Sequence, residues 1–519
     1  MNVQEIVRKV LTARVYDVAI ETPLESMPRL SERLGRPVLL KREDLQSVYS
    51  FKLRGAYNRL AQLGAEAVEK GVICASAGNH AQGVAVAAAR LGVRAVVVVP
   101  VTTPDIKVQA VRRLGAEVIT HGEDFDEAQA HAYELGAASG AIFVHPFDDP
   151  DVIAGQGTIG IELLRQHPDE VEALFLPIGG GGLAAGVASV VRYLRPEVML
   201  IGVEPADAAS MRAAFDAGGP VKLNEVGLFA DGVSVKRVGD LTYRLCKDAL
   251  DDLITVDTDQ ICAAIKDIYE NCRAIAEPAG AVALAGLKAY AAASKGAAPL
   301  MAVHSGANLN FDRLRHVAER AEVGEGNEAL LAISIPERPG SYKQFIQTLG
   351  GRAITAFNYR YGHKERATIL VGVALRRGQQ EKGELVASIR AAGFSVTDLS
   401  DDEITKTHAR YMVGGQANGL EHELVFRFEF PERPGALLRF LESLHPRWNI
   451  TLFHYRYHGA HYGRVLAGIE APPSERAEVT KALEGLGYPF REVTRDPSVQ
   501  IFIRGSSATL PGAAPLEGP

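Results

Sequence analysis

Between residues 72 and 304, short apolar runs recur with helical stretches between them. The runs Val72–Ala75, Ala95–Val101, Glu117–Thr120, Ile142–His145, Leu174–Ile178, Met199–Val203 and Met301–His304 predict strands. Several are β-branched and apolar throughout, without the two-residue alternation of a half-solvated strand. Such runs suit strands covered on both faces, as in a parallel sheet. Alanine-rich segments such as Ala81–Leu91 and Ala279–Ala293 predict helices between them. Strand and helix in alternation imply an open α/β sheet over residues 1–325. At the N-terminus, Val3, Ile6, Val7, Val10 and Leu11 have helical spacing. They predict an amphipathic core helix and not a secretory leader.

Past the linker-like Val323–Asn327 the pattern changes and repeats itself. Pro336-Glu337-Arg338-Pro339-Gly340 recurs as Pro431-Glu432-Arg433-Pro434-Gly435. The segment from Ile354 to Tyr361 recurs from Ile450 to Tyr457, with aromatics at Phe357, Tyr359 and Tyr361 and at Phe453, Tyr455 and Tyr457. Each copy reads strand, turn, helix, strand, strand, helix, strand. The strand Glu423–Phe430 alternates apolar and polar residues, so one sheet face is solvated and the other covered. Residues 329–400 and 422–497 are therefore expected to form a duplicated small α+β sandwich. Ligand binding and plain dimerisation both suit such modules. The Gly-, Pro-, Ala- and Ser-rich stretch 505–519 reads as a loose tail.

Composition narrows the function. The 519 residues hold 56 Lys and Arg against 63 Asp and Glu, a net charge of −7 that disfavours nucleic acid as the main partner. Cys74, Cys246, Cys262 and Cys272 form no C-x-x-C pair, which suits a reducing compartment. Arg90 and Arg94 interrupt the most apolar stretch, so no membrane span is expected. Glu5, Asp17 and Glu21 are unlike an organelle transit peptide. A cytoplasmic protein is the resulting expectation.

Three loops rich in glycine or serine each follow a predicted strand: Ser76-Ala77-Gly78-Asn79-His80, Gly179-Gly180-Gly181-Gly182-Leu183 and Ser305-Gly306-Ala307-Asn308. Ligands of open α/β sheets bind outside the carboxyl ends of the strands, so the three loops point to one crevice. Four successive glycines let backbone N–H groups converge on an anion, and the following helix, Leu183–Leu194, adds its positive end. The loop reads as a phosphate cradle without a Walker lysine. Gly155-Gln156-Gly157-Thr158-Ile159-Gly160 matches the dinucleotide fingerprint, but Asp148-Asp149-Pro150-Asp151 before it makes a turn where a strand is required. It is read as the packed start of a helix.

Together with Ser50-Phe51-Lys52-Leu53-Arg54-Gly55, these loops resemble the four signatures of the fold-type II pyridoxal-phosphate enzymes. Within that family they are similar to the threonine ammonia-lyases, and the duplicated tail matches the long, biosynthetic, isoleucine-regulated form. The resemblance implies two open α/β subdomains followed by an ACT-like regulatory region. It implies that Lys52 bonds pyridoxal 5'-phosphate as a Schiff base and that Asn79 meets the cofactor's ring hydroxyl. Gly179, Gly180, Gly181, Gly182 and Leu183 would hold the phosphate, and Ser305 would face the pyridine nitrogen. The backbone of Ser76, Ala77, Gly78, Asn79 and His80 would hold the substrate carboxylate. Taken singly, Lys52 also reads as a helix-surface residue, Asn79 as a helix cap and Ser305 as a strand-end serine.

The implied reaction is dehydration and deamination of L-threonine to 2-oxobutanoate, with Lys52 as general base and L-serine as a second substrate. A neutral Ser305 hydroxyl would leave the ring a weaker electron sink than a carboxylate would, which favours elimination over transamination. Isoleucine as inhibitor and valine as antagonist or activator would bind the tail, with Tyr359 and Tyr455 at two effector pockets. The resemblance also implies a homotetramer. Some catalytic relatives carry a metal near Glu204-Pro205, but Ser210 replaces the acidic residue expected there, so no metal is expected. A serine-directed dehydratase or racemase, and a non-catalytic amino-acid sensor, are the alternative readings.

Overall fold

The computed structural model describes residues 1–499 except 102, 104, 228, 312, 339, 362–364, 408, 413–416, 418, 419, 421, 432–434, 457–461, 497 and 498. The expected tail at 505–519 lies outside the described residues, as do Glu432, Arg433, Pro434 and Tyr457 of the repeat. The chain forms two units, Met1–Gly324 and Glu325–Pro519.

The first unit holds two sheets. One has the order Glu117–Thr120, Ala95–Val99, Val72–Ala75, Ile142–Phe143, all parallel. The other has the order Leu24–Ser26, Val38–Arg42, Leu300–His304, Ala173–Pro177, Met199–Pro205, Asp252–Val256, parallel apart from its first pair. The strands at 72–75, 95–99, 173–177 and 300–304 are buried along their whole length, as their unbroken apolar runs require. Two expected strands are shorter than read. Ala95–Val99 stops before Pro100, and Ile142–Phe143 ends where the Val144 carbonyl turns to His80 Nε2 at 2.9 Å. Three strands were not among those expected: Leu24–Ser26, Val38–Arg42 and Asp252–Val256.

Val38–Arg42 lies inside its sheet although it ends in Lys41 and Arg42. Burial of both cations is possible because carboxylates meet them: Glu162 lies 2.7 Å from Lys41 Nζ, and Asp44 lies 2.8 Å from Arg42. Glu162 also belongs to a second ion pair. Arg54 donates to both Glu162 and Glu43, and all three side chains are fully buried. This cluster underlies the helix Lys52–Leu63.

The G-x-G-x-x-G segment is not a helix start, as the sequence suggested. The helix Pro150–Gln166 begins a turn earlier, capped by Asp149 Oδ1, which accepts the amides of Asp151 and Val152. Its glycines lie within the helix, where side chains would collide. A Cβ on Gly155 would lie 2.6 Å from the Arg54 carbonyl, and one on Gly157 would lie 3.1 Å from that of Gly186. They allow close packing against Lys52–Leu63 and Gly182–Leu194.

The second unit is one antiparallel sheet with the order Ser395–Asp398, Glu328–Pro336, Arg366–Ala374, Ile354–Arg360, Asn449–Arg456, Tyr462–Glu470, Glu423–Pro431, Phe490–Glu492. The two copies of the repeat meet at Ile354–Arg360 and Asn449–Arg456. The main core draws on strands of both copies and on Phe345, Leu385, Phe440 and Leu483 of the helices. Each copy carries the same bulge, one residue long, at Thr355 or Thr451. The bulged threonine hydroxyl donates to Glu328 in the first copy and, at 2.6 Å, to Glu423 in the second. Gly372 and Gly468 lie opposite; a Cβ on either would meet the threonine oxygen at 2.4 or 2.6 Å.

Candidate functional site

The three loops open onto one cavity of about 1070 Å³ in the first unit. Lys52, Ser76–His80, Gly179–Leu183 and Ser305 all line it, as do Glu277 and Asn308, which sequence reasoning had given no role.

Lys52 reaches the wall because the segment before its helix is laced to the Ser305 loop. Phe51 N donates to the Ser305 carbonyl at 3.2 Å, Ala307 N donates to that of Tyr49 at 2.9 Å, and Ser50 pairs with Gly306. Tyr49 accommodates the turn in the left-handed region, with φ +54°. Solvent in the cavity touches part of Lys52, yet the ammonium is enclosed. Burial pulls it down to about 8, against the attraction of Glu277. A lysine so placed gives up its proton near neutral pH, the property a nucleophile or general base needs.

The glycine loop leaves the strand Ala173–Pro177 and enters the helix Gly182–Leu194. The Gly180 carbonyl turns outward and accepts the Thr242 hydroxyl at 2.6 Å. The first amides of the helix have no helical carbonyl to bond and would meet an anion with the positive end of the dipole. Side chains are excluded all along the loop. A Cβ would meet Val233 at 2.8 Å from Gly179, Phe147 at 2.2 Å from Gly180 and Phe147 at 3.0 Å from Gly182. Gly181 also has φ +93°. Such a cradle fits a phosphate group, and an amine that loses its proton readily fits an aldehyde.

The helix Asn79–Leu91 starts at the other wall, with Gly78 and not Asn79 as its cap residue. The Asn79 side chain is engaged elsewhere. Its Nδ2 donates to Glu277 Oε1 at 2.7 Å, and its Oδ1 accepts from Asn308 Nδ2 at 2.6 Å. His80 is buried, and burial with the nearby Lys52 charge lowers it to about 3, so it stays neutral. The Ser305 hydroxyl lies 3.3 Å from the Ala279 carbonyl.

Glu204 lies elsewhere. It accepts the amides of Met211 and Arg212 at 2.7 and 2.8 Å and so caps the helix Ser210–Ala217, while burial raises it to about 7. Among the described residues no group of three His, Cys, Asp or Glu could hold a metal ion, and no helix is long and apolar enough to cross a membrane. Tyr359 and Tyr455 belong to the second unit and are buried in its core. Tyr359 Oη donates to Glu337 at 2.8 Å, and Asn449 of the other copy reaches Glu337 Oε1 at 3.3 Å.

Residues 15–306 match the family model described as pyridoxal-phosphate dependent enzyme. Residues 319–409 and 414–503 match that of the C-terminal regulatory domain of threonine dehydratase. The chain is 54% identical over 508 residues to the L-threonine dehydratase biosynthetic IlvA of Burkholderia multivorans, covering 97% of this chain and 100% of that one. It is likewise 54% identical to the Escherichia coli protein of the same description, over 96% of this chain and 97% of that one. Among solved structures, the processed form of threonine deaminase isoform 2 from Solanum lycopersicum matches with a TM-score of 0.60 and 51% identity, over 62% of this chain and 93% of that one. The chain belongs to the threonine dehydratase family of pyridoxal-phosphate-dependent enzymes.

Proposed function

We propose that this enzyme converts L-threonine to 2-oxobutanoate and ammonia, the first step of isoleucine biosynthesis, and L-serine to pyruvate. The observation that carries the reading is the convergence of Lys52, the Ser76–His80 turn, the glycine cradle and Ser305 on one cavity. Pyridoxal phosphate, when bound, supplies an electron-withdrawing ring that acidifies the substrate α-carbon. Gly179–Leu183 would hold its phosphate by backbone amides, and Asn79 would donate to its ring hydroxyl. Ser305 would offer the ring nitrogen a neutral hydroxyl in place of a carboxylate. The amides at the start of the helix Asn79–Leu91 hold the substrate carboxylate. Lys52, with its proton affinity lowered by burial, takes the α-proton. Loss of the β-hydroxyl as water then precedes hydrolytic loss of ammonia.

The second unit is the proposed effector domain, binding isoleucine as inhibitor and valine as antagonist or activator. Tyr359, with Glu337 beneath its hydroxyl, and Tyr455 are the proposed effector positions. Residues 1–325, 329–400 and 422–497 are the corresponding functional segments, and the working form is a cytoplasmic homotetramer. The test is threonine turnover with and without isoleucine, on the parent enzyme and on Lys52→Ala. The parent should form 2-oxobutanoate and be inhibited; Lys52→Ala should lose turnover and the cofactor's visible absorbance. Turnover by Lys52→Ala would overturn the assignment.

A further inference from the structure

Asn79 and Glu277 form a chain of polar contacts whose donor and acceptor order is fixed from one end. Asn308 Nδ2 donates to the main-chain carbonyl of Val48 at 2.8 Å, and a carbonyl can only accept. The amino end of Asn308 is thereby set, and its second proton goes to Asn79 Oδ1 at 2.6 Å. The oxygen of Asn79 is then occupied, and its amino end must point the other way. There it meets Glu277 Oε1 at 2.7 Å. An amide nitrogen has two protons, so one remains for the cavity.

Glu277 is itself locked. Its amide donates to the Gly306 carbonyl at 3.2 Å, and it immediately precedes Pro278 at the start of the helix Pro278–Ala293. A Cβ on Gly306 would lie 2.2 Å from Glu277 Oε1, so the glycine there leaves the carboxylate its place. Only 4% of Glu277 is exposed, and a buried carboxyl group with one purpose-built partner is costly to keep unless it does something.

We propose that Glu277 is a positioning residue: it orients the Asn79 amide so that one N–H faces the cofactor's ring hydroxyl, and its charge supports the Lys52 ammonium. The inference rests on the proposed role of Asn79. Burial raises Glu277 to about 7, the Asn79 hydrogen bond opposes that rise, Asp231 adds to it and Lys107 and Lys52 oppose it, so its charge acts on Lys52 above that pH.

Three variants of the full chain separate the two effects. Glu277→Gln keeps an oxygen for Asn79 and removes the charge. Glu277→Leu removes both. Asn79→Ala removes the group through which Glu277 acts. The first readout is the affinity of the cofactor-stripped protein for pyridoxal phosphate, followed by absorbance. Glu277→Leu and Asn79→Ala should each weaken it by roughly tenfold, as for losing one hydrogen bond to a charged group. The second is the pH titration of the bound cofactor's absorbance. In Glu277→Gln it should move to lower pH, because the neighbouring cation loses its stabilising charge. If Asn79→Ala weakens binding and Glu277→Leu does not, the role of Glu277 is wrong and that of Asn79 stands. If neither weakens it, the reading of Asn79 falls as well. Should Glu277→Leu not fold, Glu277→Gln decides: an unmoved titration overturns the proposal.

Discussion

Replacing Arg54 with methionine tests whether the ion cluster beneath the Lys52 helix is a structural necessity. Arg54 donates to Glu43 through Nε and Nη2, both at 2.8 Å, and to Glu162 through Nη1 and Nη2 at 2.5 and 3.0 Å. It also reaches Thr158 and the Ile20 carbonyl, each at 3.1 Å. Arg54 and Lys41 balance Glu43 and Glu162, so the cluster is neutral as built. Arg54→Met leaves one net negative charge in a place water does not reach. Glu162 keeps Lys41, whereas Glu43 keeps only the neutral donors Thr22, at 2.5 Å, and Gln46, at 3.2 Å.

Removing one partner of a buried pair costs about 3–5 kcal/mol, most of it the cost of the stranded charge. The double variant Arg54→Met with Glu43→Gln returns the cluster to neutrality, because Lys41 and Glu162 remain paired. It should recover at least about 1 kcal/mol relative to the sum of the single changes. The assay is urea-induced unfolding of the full chain at matched concentration, followed by circular dichroism. An Arg54→Met midpoint within about 1 kcal/mol of the parent would refute the reasoning, because the cluster would then be dispensable.

Gly180→Ala pushes a methyl group against the Phe147 ring at 2.2 Å; cofactor affinity, measured by absorbance titration, should fall by roughly tenfold or more as the cradle is forced open. Gly78→Ala meets nothing within 4 Å and should leave that affinity within about twofold. His80 stays neutral in the native protein down to about pH 3, whereas an unfolded histidine takes a proton near 6.5. The unfolded chain therefore binds the extra proton between these values, and stability is lost as the pH falls from about 6.5 towards 3. Urea midpoints at pH 7 and pH 5 should differ by about 2 kcal/mol more in the parent than in His80→Gln.

Strands were legible where both faces are covered by hydrophobic neighbours, because an unbroken β-branched run has no other economical place. Val38–Arg42 was not, since its final two residues are cations and sequence shows no sign of the carboxylates that meet them. Asp44 lies two residues on, but Glu162 comes from 121 positions later (162 − 41 = 121). The glycine loop and Lys52 could be read because their chemistry needs residues of special type in short range. Glu277 and Asn308 could not, because their meaning lies in a chain of hydrogen bonds joining residues 48, 79, 277 and 308. Glu277 before Pro278 reads as the ordinary start of a helix. The fingerprint glycines were placed in the right element and rightly read as packed, but they lie within the helix and not at its start.

The repeat carries a further consequence that sequence similarity alone hides. Asn358 pairs directly with His454, and the two are equivalent positions of the copies (454 − 358 = 96). A local twofold axis therefore passes between them, and Tyr359 opposite Phe453 mirrors Tyr455 opposite Phe357. Their surroundings are nevertheless unequal. Asn449 donates across the seam to Glu337 beneath Tyr359, whereas the first-copy counterpart of Asn449 is Ala353, which has no donor to offer. If Tyr359 is an effector position, Asn449 of the other copy helps to hold the Glu337 beneath it. Tyr359→Phe removes the hydroxyl that holds Glu337 and should raise the isoleucine concentration for half-inhibition by roughly fivefold or more, as for one hydrogen bond to a charged group. The substitution should not change kcat/KM for threonine without effector. An unchanged isoleucine response would show that the Tyr359 hydroxyl and Glu337 take no part in effector binding.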